Sequence, residues 1–428
     1  MNQPGQQPPE NPRPASNRGK RYWAEFVLGS LIIAVLLILY SFVILALKNM
    51  PLGSDFSKFY VSARYHHEGK SIYDSVPYTY FGEDVDISVY RRPDMHPNLN
   101  PPFFTFLLLP LARFSYQTAF LIWSGISFIL GLTSVVIIEK ITARKSDIRR
   151  TMFFLILFLA YYPTFANVVF AQATFFLMFL MVAAWICTRE SRDATAAIAL
   201  GAAVALKPFF GLFFFFFTSL GRWRLLFYMA LSTLIFSAVP LLSFNVSEYA
   251  VYARTIGTIT WHGATWNASL QGFLSRIFGG SENPPLANLP LLADILYYTL
   301  FILGVALLCR VAFFSRRIKE SFDITYSLVV ILMLLLAPLA WLYYFPMLFL
   351  SFVVAWRKTT EMSLMYYYKL WIVTAWLLST VPRMLMPARY VDDAAEWFLW
   401  GGYYFYALVI LAALTLLITR RAARISVS

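Results

Sequence analysis

Asp55 is the residue whose chemistry most needs explaining. It stands in the stretch Gly53-Ser54-Asp55-Phe56-Ser57-Lys58-Phe59-Tyr60, directly after the first strongly apolar segment and before a long polar loop. A carboxylate at the edge of a membrane span is costly if buried and idle, so such an acid is a functional candidate by default. A purely structural role is also open to it. Ser54 reads as a helix N-cap, and an acid in the first turn then merely complements the helix dipole. Further polar candidates recur at the ends of apolar segments: Asn167 with Gln172, Lys207 before Pro208, and the stretch Pro338 to Tyr344. Lys207 either snorkels to the interface or pairs with a phosphate. The two amides serve equally well as interhelical glue or as ligand contacts. His66, His67, His96 and His262 lack ligand spacing, and Cys187 and Cys309 lie far apart in apolar segments. No metal site, cofactor or disulfide is expected from them.

The elements that must position these side chains are membrane helices. With 428 residues, 59% hydrophobic and only 13% charged, the chain is far more apolar than a globular protein of that length, which makes it an all-α polytopic membrane protein. The net charge of +13 does not point to nucleic acid, because the basic residues sit in short clusters between apolar segments, as in cytoplasmic loops. Residues 1–20, rich in Pro, Asn, Gln and basic side chains, read as a disordered cytoplasmic tail. Residues 21–420 then read as a single transmembrane domain and 421–428 as a second cytoplasmic tail. The first span, Trp23 to Leu47, has no cleavage site and is retained.

Twelve spans are expected: this first one, then about 116–138, 151–163, 169–187, 194–206, 208–220, 226–243, 291–313, 324–337, 340–356, 370–386 and 401–419. Most of the 35 lysines and arginines fall on the side this drawing makes cytoplasmic, including Lys140 to Arg150, Arg222/Arg224, Arg316 to Lys319 and Arg420 to Arg424. That leaves 48–100 and 244–290 as extracytoplasmic loops. Asp55 to His67 has apolar residues at helical spacing and reads as an amphipathic helix on the membrane surface. Phe103 to Leu111 is too short to cross about 30 Å of hydrocarbon and is expected to dip in and return. Several later spans are also short, and polar residues and prolines gather where they stop. Irregular backbone at membrane depth requires a cavity or a protein cover, so a recess on the outer side is expected, roofed by 48–100, 244–290 and 387–400.

The ordered set Asp55-Phe56 with Tyr60, Ala63, Gly69 and Tyr73; Asn100-Pro101-Pro102 with Pro110-Leu111-Ala112; Gln172; Ala205-Leu206-Lys207-Pro208; Asn267-Ala268-Ser269-Leu270 followed by Arg276; and Pro338-Leu339-Ala340-Trp341 resembles glycosyltransferase family 87. This is a bacterial family of polyprenyl-phosphate-dependent mannosyltransferases with the GT-C architecture. The resemblance runs over roughly residues 50 to 350. Two departures stand out. The family has Gly before the glutamine where this chain has Ala171, and a histidine after a Ser-Pro-x-x-Trp motif where this chain has Ala337 for the serine and Leu342-Tyr343-Tyr344 after the tryptophan. The histidine's role passes to no residue unless Tyr343 substitutes.

The resemblance implies a GT-C fold in the bacterial cytoplasmic (inner) membrane. It also implies transfer of a hexose, most simply mannose, from a polyprenyl-phosphate-sugar donor to a lipid or glycan hydroxyl on the extracytoplasmic face, with inversion. Asp55 would then be the general base. Lys207 and Arg276, with Arg254, would neutralise the donor phosphate. Gln172, Asn267 and Asn167 would orient sugar hydroxyls, and Trp266 or Trp341 would pack on a sugar ring. The alternative is a transporter or flippase for a polyprenyl-linked or small polar substrate. Against it stand the absence of a hydropathy repeat and the gathering of polar candidates at one face instead of the midplane.

Overall fold

The computed structural model describes residues 15–82, 94–143, 147–279, 285–316, 318, 321–382 and 402–425, and among these every regular element is helical. Helix α1 (Ala15–Leu47) begins inside the stretch expected to be a tail, and residues 1–14 lie outside the described residues. Helices α2 (Phe56–His67) and α3 (Pro102–Leu108) follow, and then the long α4 (Tyr116–Thr142). Next come α5 (Ile148–Leu159), α6 (Tyr162–Phe170), α7 (Thr174–Arg189), α8 (Asp193–Leu206), α9 (Leu212–Leu220) and α10 (Trp223–Ala238). The second half holds α11 (Ser247–Gly257), α12 (Leu270–Phe278), α13 (Pro290–Ser315), α14 (Phe322–Leu336), α15 (Phe349–Glu361), α16 (Tyr366–Ser379) and α17 (Tyr403–Ile425).

Among the described residues, five helical segments are long and apolar enough to cross a membrane: Tyr22–Leu47, Tyr116–Thr142, Trp223–Leu242, Pro290–Ser315 and Tyr403–Ala422. The pair α5 and α6, bent by 60°, makes a sixth if it counts as one span. The protein is therefore a multi-pass membrane protein. The expected count of twelve is not reached on length: four of the other expected spans correspond to the shorter apolar segments Thr174–Arg189, Asp193–Leu206, Pro208–Leu220 and Phe322–Leu336. The segment expected to cross at 340–356 opens as a buried 3₁₀ stretch, Leu342–Leu348, before α15 begins.

Ion pairs tie helix ends together on one face. Arg149, at the start of α5, bonds Glu25 of α1 at 3.1 Å, and Arg150 meets the buried Glu139 near the end of α4 at 3.6 Å. Arg189 at the end of α7 pairs with Asp323 of α14, and Arg222 before α10 pairs with Asp193 of α8. We call this the basic face. Since α1 starts there and α4 ends there, residues 48–115 begin and end on the opposite face.

Helix α2 is not the surface-lying helix that its spacing suggests. Phe56, Phe59, Tyr60, Val61, Ala63 and Tyr65 are all buried, because α3 and the start of α4 cover it. Phe56 packs within 6.0 Å of Tyr116, Phe120 and Trp123 of α4. The turn before α3 is held by buried amides. Asn98 donates to Ser62 and Thr105 and accepts from the Asn100 amide, while Tyr73 donates to the Asn100 carbonyl at 2.7 Å.

Close packing between α8 and α10 depends on small residues. A Cβ on Gly201 would lie 2.0 Å from Ser232 Oγ and 2.8 Å from the Thr233 backbone nitrogen. Ser232 Oγ in turn donates to the Ala197 carbonyl at 3.0 Å.

Candidate active site

Helix α2 starts by a device that leaves Asp55 unoccupied as a cap. The Phe56 amide is accepted by Ser54 Oγ at 3.1 Å, and the Asp55 side chain makes no capping bond. Its two oxygens face elsewhere. Oδ1 pairs with Lys58 Nζ at 2.7 Å, one helical turn along, and Oδ2 accepts from Gln172 Nε2 at 2.5 Å, from 117 residues away. Only 23% of the Asp55 side chain and 16% of the Lys58 side chain remain exposed, so the pair is largely shielded from water.

Gln172 reaches this carboxylate because α6 ends abruptly. Ala171 adopts φ 46° and ψ 47°, the left-handed conformation that usually closes a helix on glycine. The Gln172 amide then bonds back to the Asn167 carbonyl at 3.1 Å, and Trp123 Nε1 holds the Ala171 carbonyl at 2.8 Å. A residue with a Cβ costs about 1–2 kcal/mol in that conformation, which gives a physical reason for glycine at the matching position of the resembled family.

Lys207 is placed by the proline after it. Pro208 disfavours the α conformation at the residue before it, and Lys207 is extended at φ −146° and ψ 106°, so α8 stops and the side chain leaves the helix axis. Its ammonium lies 5.6 Å from the Tyr344 ring centroid and within electrostatic reach of both Asp55 and Lys58. Among the described residues no carboxylate lies within ion-pair distance of it. Tyr343 and Tyr344 are in turn close enough to feel the charge of Asp55. The Tyr343 ring continues into an aromatic wall, 5.9 Å from Phe170 and 6.0 Å from Trp266, and Trp266 lies 4.5 Å from Trp341.

The structure thus gathers Asp55, Gln172, Lys207 and Tyr343, with Trp266 and Trp341 adjoining. Asn267 sits behind them in a different role. Its amide donates to the His262 and Pro338 carbonyls at 2.8 and 3.1 Å, and its Oδ1 accepts from the amides of Ser269 and Ala340 at 3.2 and 2.9 Å. Both hydrogens and both lone pairs are committed to backbone, so nothing is left for a sugar hydroxyl. Asn267 is better read as the clasp that pairs its own strand of chain with Trp341.

Arg276 is buried and braces the same loop, donating through Nη1 to the Ala264 and Asn267 carbonyls at 3.0 and 2.9 Å. Its Nη2 has no partner among the described residues. Burial pushes its pKa down to about 10, which still leaves it cationic at neutral pH. Arg254 is not brought to the site: it is exposed on α11, with no hydrogen bond or ion pair to the other candidates. Asn167 is buried beside Gln172, and its Oδ1 has no partner among the described residues. The expected roof segment 387–400 lies outside the described residues.

Lys58 and Tyr344 are the site residues that sequence reasoning passed over. Lys58 had a visible signal, an opposite charge three residues along a helix from Asp55. Tyr344 had only its place beside Tyr343.

No metal-holding group of three or more His, Cys, Asp or Glu forms among the described residues. What the site offers is one shielded carboxylate, two nearby ammonium groups, an amide and an aromatic wall, on the face opposite the basic one. Residues 98–338, more than half of the chain, match the sequence model of glycosyltransferase family 87. That range includes Gln172, Lys207, Trp266, Asn267 and Arg276; Asp55 precedes it, and Trp341 and Tyr343 follow it. No curated protein and no solved structure matches the chain.

Proposed function

The chain belongs to glycosyltransferase family 87, and from that premise we propose a polyprenyl-phosphate-sugar-dependent hexosyltransferase in which Asp55 is the general base. A hydroxyl of a lipid or glycan acceptor attacks the anomeric carbon, its proton passes to Asp55, and the bond from that carbon to the phosphate oxygen breaks. The polyprenyl phosphate departs with the bonding electrons. A sugar hydroxyl is a weak nucleophile until a base accepts its proton in the transition state, whereas the phosphate chiefly needs its charge balanced. Lys207 supplies that charge. Arg276, whose Nη2 has no partner among the described residues, is the further cation, and Arg254 stays outside the site.

The observation that carries this reading is the freedom of Asp55 from capping, together with its bond to Gln172 and its proximity to Lys207. Gln172 fixes the carboxylate, and the wall of Trp266, Trp341 and Tyr343 offers apolar faces of the kind on which sugar rings pack. Asn167 has an unused acceptor that suits a sugar hydroxyl. Mannose is the simplest hexose to propose, on the family resemblance. The basic clusters around Lys140 to Arg150, Arg222 and Arg316 support a cytoplasmic assignment of the basic face. The active site is then extracytoplasmic, in a bacterial cytoplasmic membrane.

The test is incubation of the purified protein with radiolabelled polyprenyl-phosphate-mannose and a crude lipid extract. A new labelled glycolipid is expected. Uptake or translocation of label without a new glycoconjugate would instead favour a transporter or flippase.

A further inference from the structure

Lys58 is placed where the chemistry above needs a charge to move. The donor in that reaction is a phosphodiester with one negative charge, and the departing polyprenyl phosphate is a monoester whose charge approaches two at neutral pH. Over the same step Asp55 gains a proton and loses its charge. Negative charge therefore flows from Asp55 to the phosphate. The structure sets two lysine amino groups beside this path: Lys207, with no carboxylate partner among the described residues, and Lys58, bonded to Asp55 at 2.7 Å. With both lysines held protonated by the bound phosphate, two cations balance the diester and the carboxylate before transfer, and the same two balance the monoester after it.

We propose that Lys58 is a second ligand of the donor phosphate, exchanging Asp55 Oδ1 for a phosphate oxygen as transfer proceeds. This rests on the donor assigned above and adds what that reading lacks, a reason for a lysine to pair with the base. Its position favours such an exchange. A lysine carries its charge on a flexible four-carbon stem, so the ammonium can turn from one acceptor to another without moving α2. Gln172 keeps Oδ2 in place meanwhile, so the carboxylate that loses Lys58 stays oriented towards the acceptor hydroxyl. The pair also keeps Oδ1 engaged, so Asp55 becomes free to take a proton only when a phosphate draws Lys58 away.

The experiment is equilibrium binding of polyprenyl monophosphate, without sugar, and of the intact polyprenyl-phosphate-mannose to the full-length protein in nanodiscs. Lys58→Met should weaken binding of the monophosphate by roughly 10- to 100-fold, the effect of losing a charge-assisted hydrogen bond, and binding of the diester by less. Lys58→Arg should restore most of it. Asp55→Asn imitates the protonated base and releases Lys58, so it should tighten monophosphate binding. In a Lys58→Met background most of that tightening should vanish. Unchanged monophosphate binding by Lys58→Met, or equal tightening by Asp55→Asn in both backgrounds, overturns the exchange and leaves the donor assignment standing. Should Lys58→Met fail to fold, the absence of tightening in Asp55→Asn alone overturns it. A wild-type protein that binds neither ligand overturns the exchange and the donor assignment together.

Discussion

Asp55 and Ser54 are neighbours with separable jobs, and that separation makes the catalytic reading testable. Asp55→Asn keeps the size of the side chain and a residue type that tolerates a helix start. The cap itself is untouched, because the Phe56 amide bonds Ser54 Oγ. What the variant loses is the ion pair to Lys58, partly shielded, and a favourable charge near the start of α2. Together these amount to about 0.5–2 kcal/mol of stability. The transfer rate should fall much further, by about 10² to 10⁴-fold, because no proton acceptor remains. Ser54→Ala is the complement. It removes the cap at a cost of about 0.5–2 kcal/mol and leaves the base in place, so most of the rate should survive. The measurements are initial rates at saturating labelled donor and thermal unfolding of each purified variant. Asp55→Asn transferring at close to the wild-type rate would refute the argument, as would Ser54→Ala losing as much rate as Asp55→Asn.

Three other outcomes are expected. Asn267→Ala should lower stability by more than about 2 kcal/mol, since it strands several buried backbone groups, and thermal unfolding checks this; a normally stable variant with weakened donor binding would restore the sugar-contact role. Gly201→Ala should cost about 1–3 kcal/mol by forcing α8 from α10, with partial recovery in a Gly201→Ala/Ser232→Gly double variant; an unfolding midpoint equal to wild type would show that the helices yield freely. In a background with Cys187 and Cys309 replaced by serine, Thr258→Cys should react with an impermeant thiol reagent in intact cells and Ser191→Cys only after permeabilisation, and the reverse pattern would invert the proposed topology.

The sequence carried the parts of the site that depend on local rules. Lys207 stands out because Pro208 ends its helix, and Asp55 stands out because an acid follows an apolar run. Each is a statement about a few adjacent residues. The basic face was legible for the same reason, since clusters such as Lys140 to Arg150 need no knowledge of packing. The span count was less secure because length and apolarity define a crossing only for a helix that makes it alone. Helices such as α8 and α14 are short and shielded by neighbours, and α6 leaves α5 at a 60° bend that no count by length resolves. Helix α2 was misread because its aromatic residues suit a membrane surface as well as a protein interior. Only the cover supplied by α3 and α4 distinguishes the two.

Asn267 shows where residue type stops being informative. An asparagine in an ordered family-like motif suggests a ligand contact, and the same four hydrogen-bonding positions suit a backbone clasp equally well. The choice is made by where the chain from Pro338 to Trp341 happens to run, a fact fixed by the packing of α14 and α15. The bond between Asp55 and Gln172 has the same origin. Neither residue predicts the other from 117 positions away; they meet because the start of α2 and the end of α6 are both anchored to α4, through Phe56 against Trp123 and through the Trp123 indole on the Ala171 carbonyl. Trp123 therefore organises the site without belonging to it. It also bears on why Ala171 tolerates a left-handed conformation: the strain of about 1–2 kcal/mol is offset in part by a buried hydrogen bond worth about 0.5–1.5 kcal/mol to the same residue. Glycine would relieve the strain but widen the conformational freedom of the turn that aims Gln172.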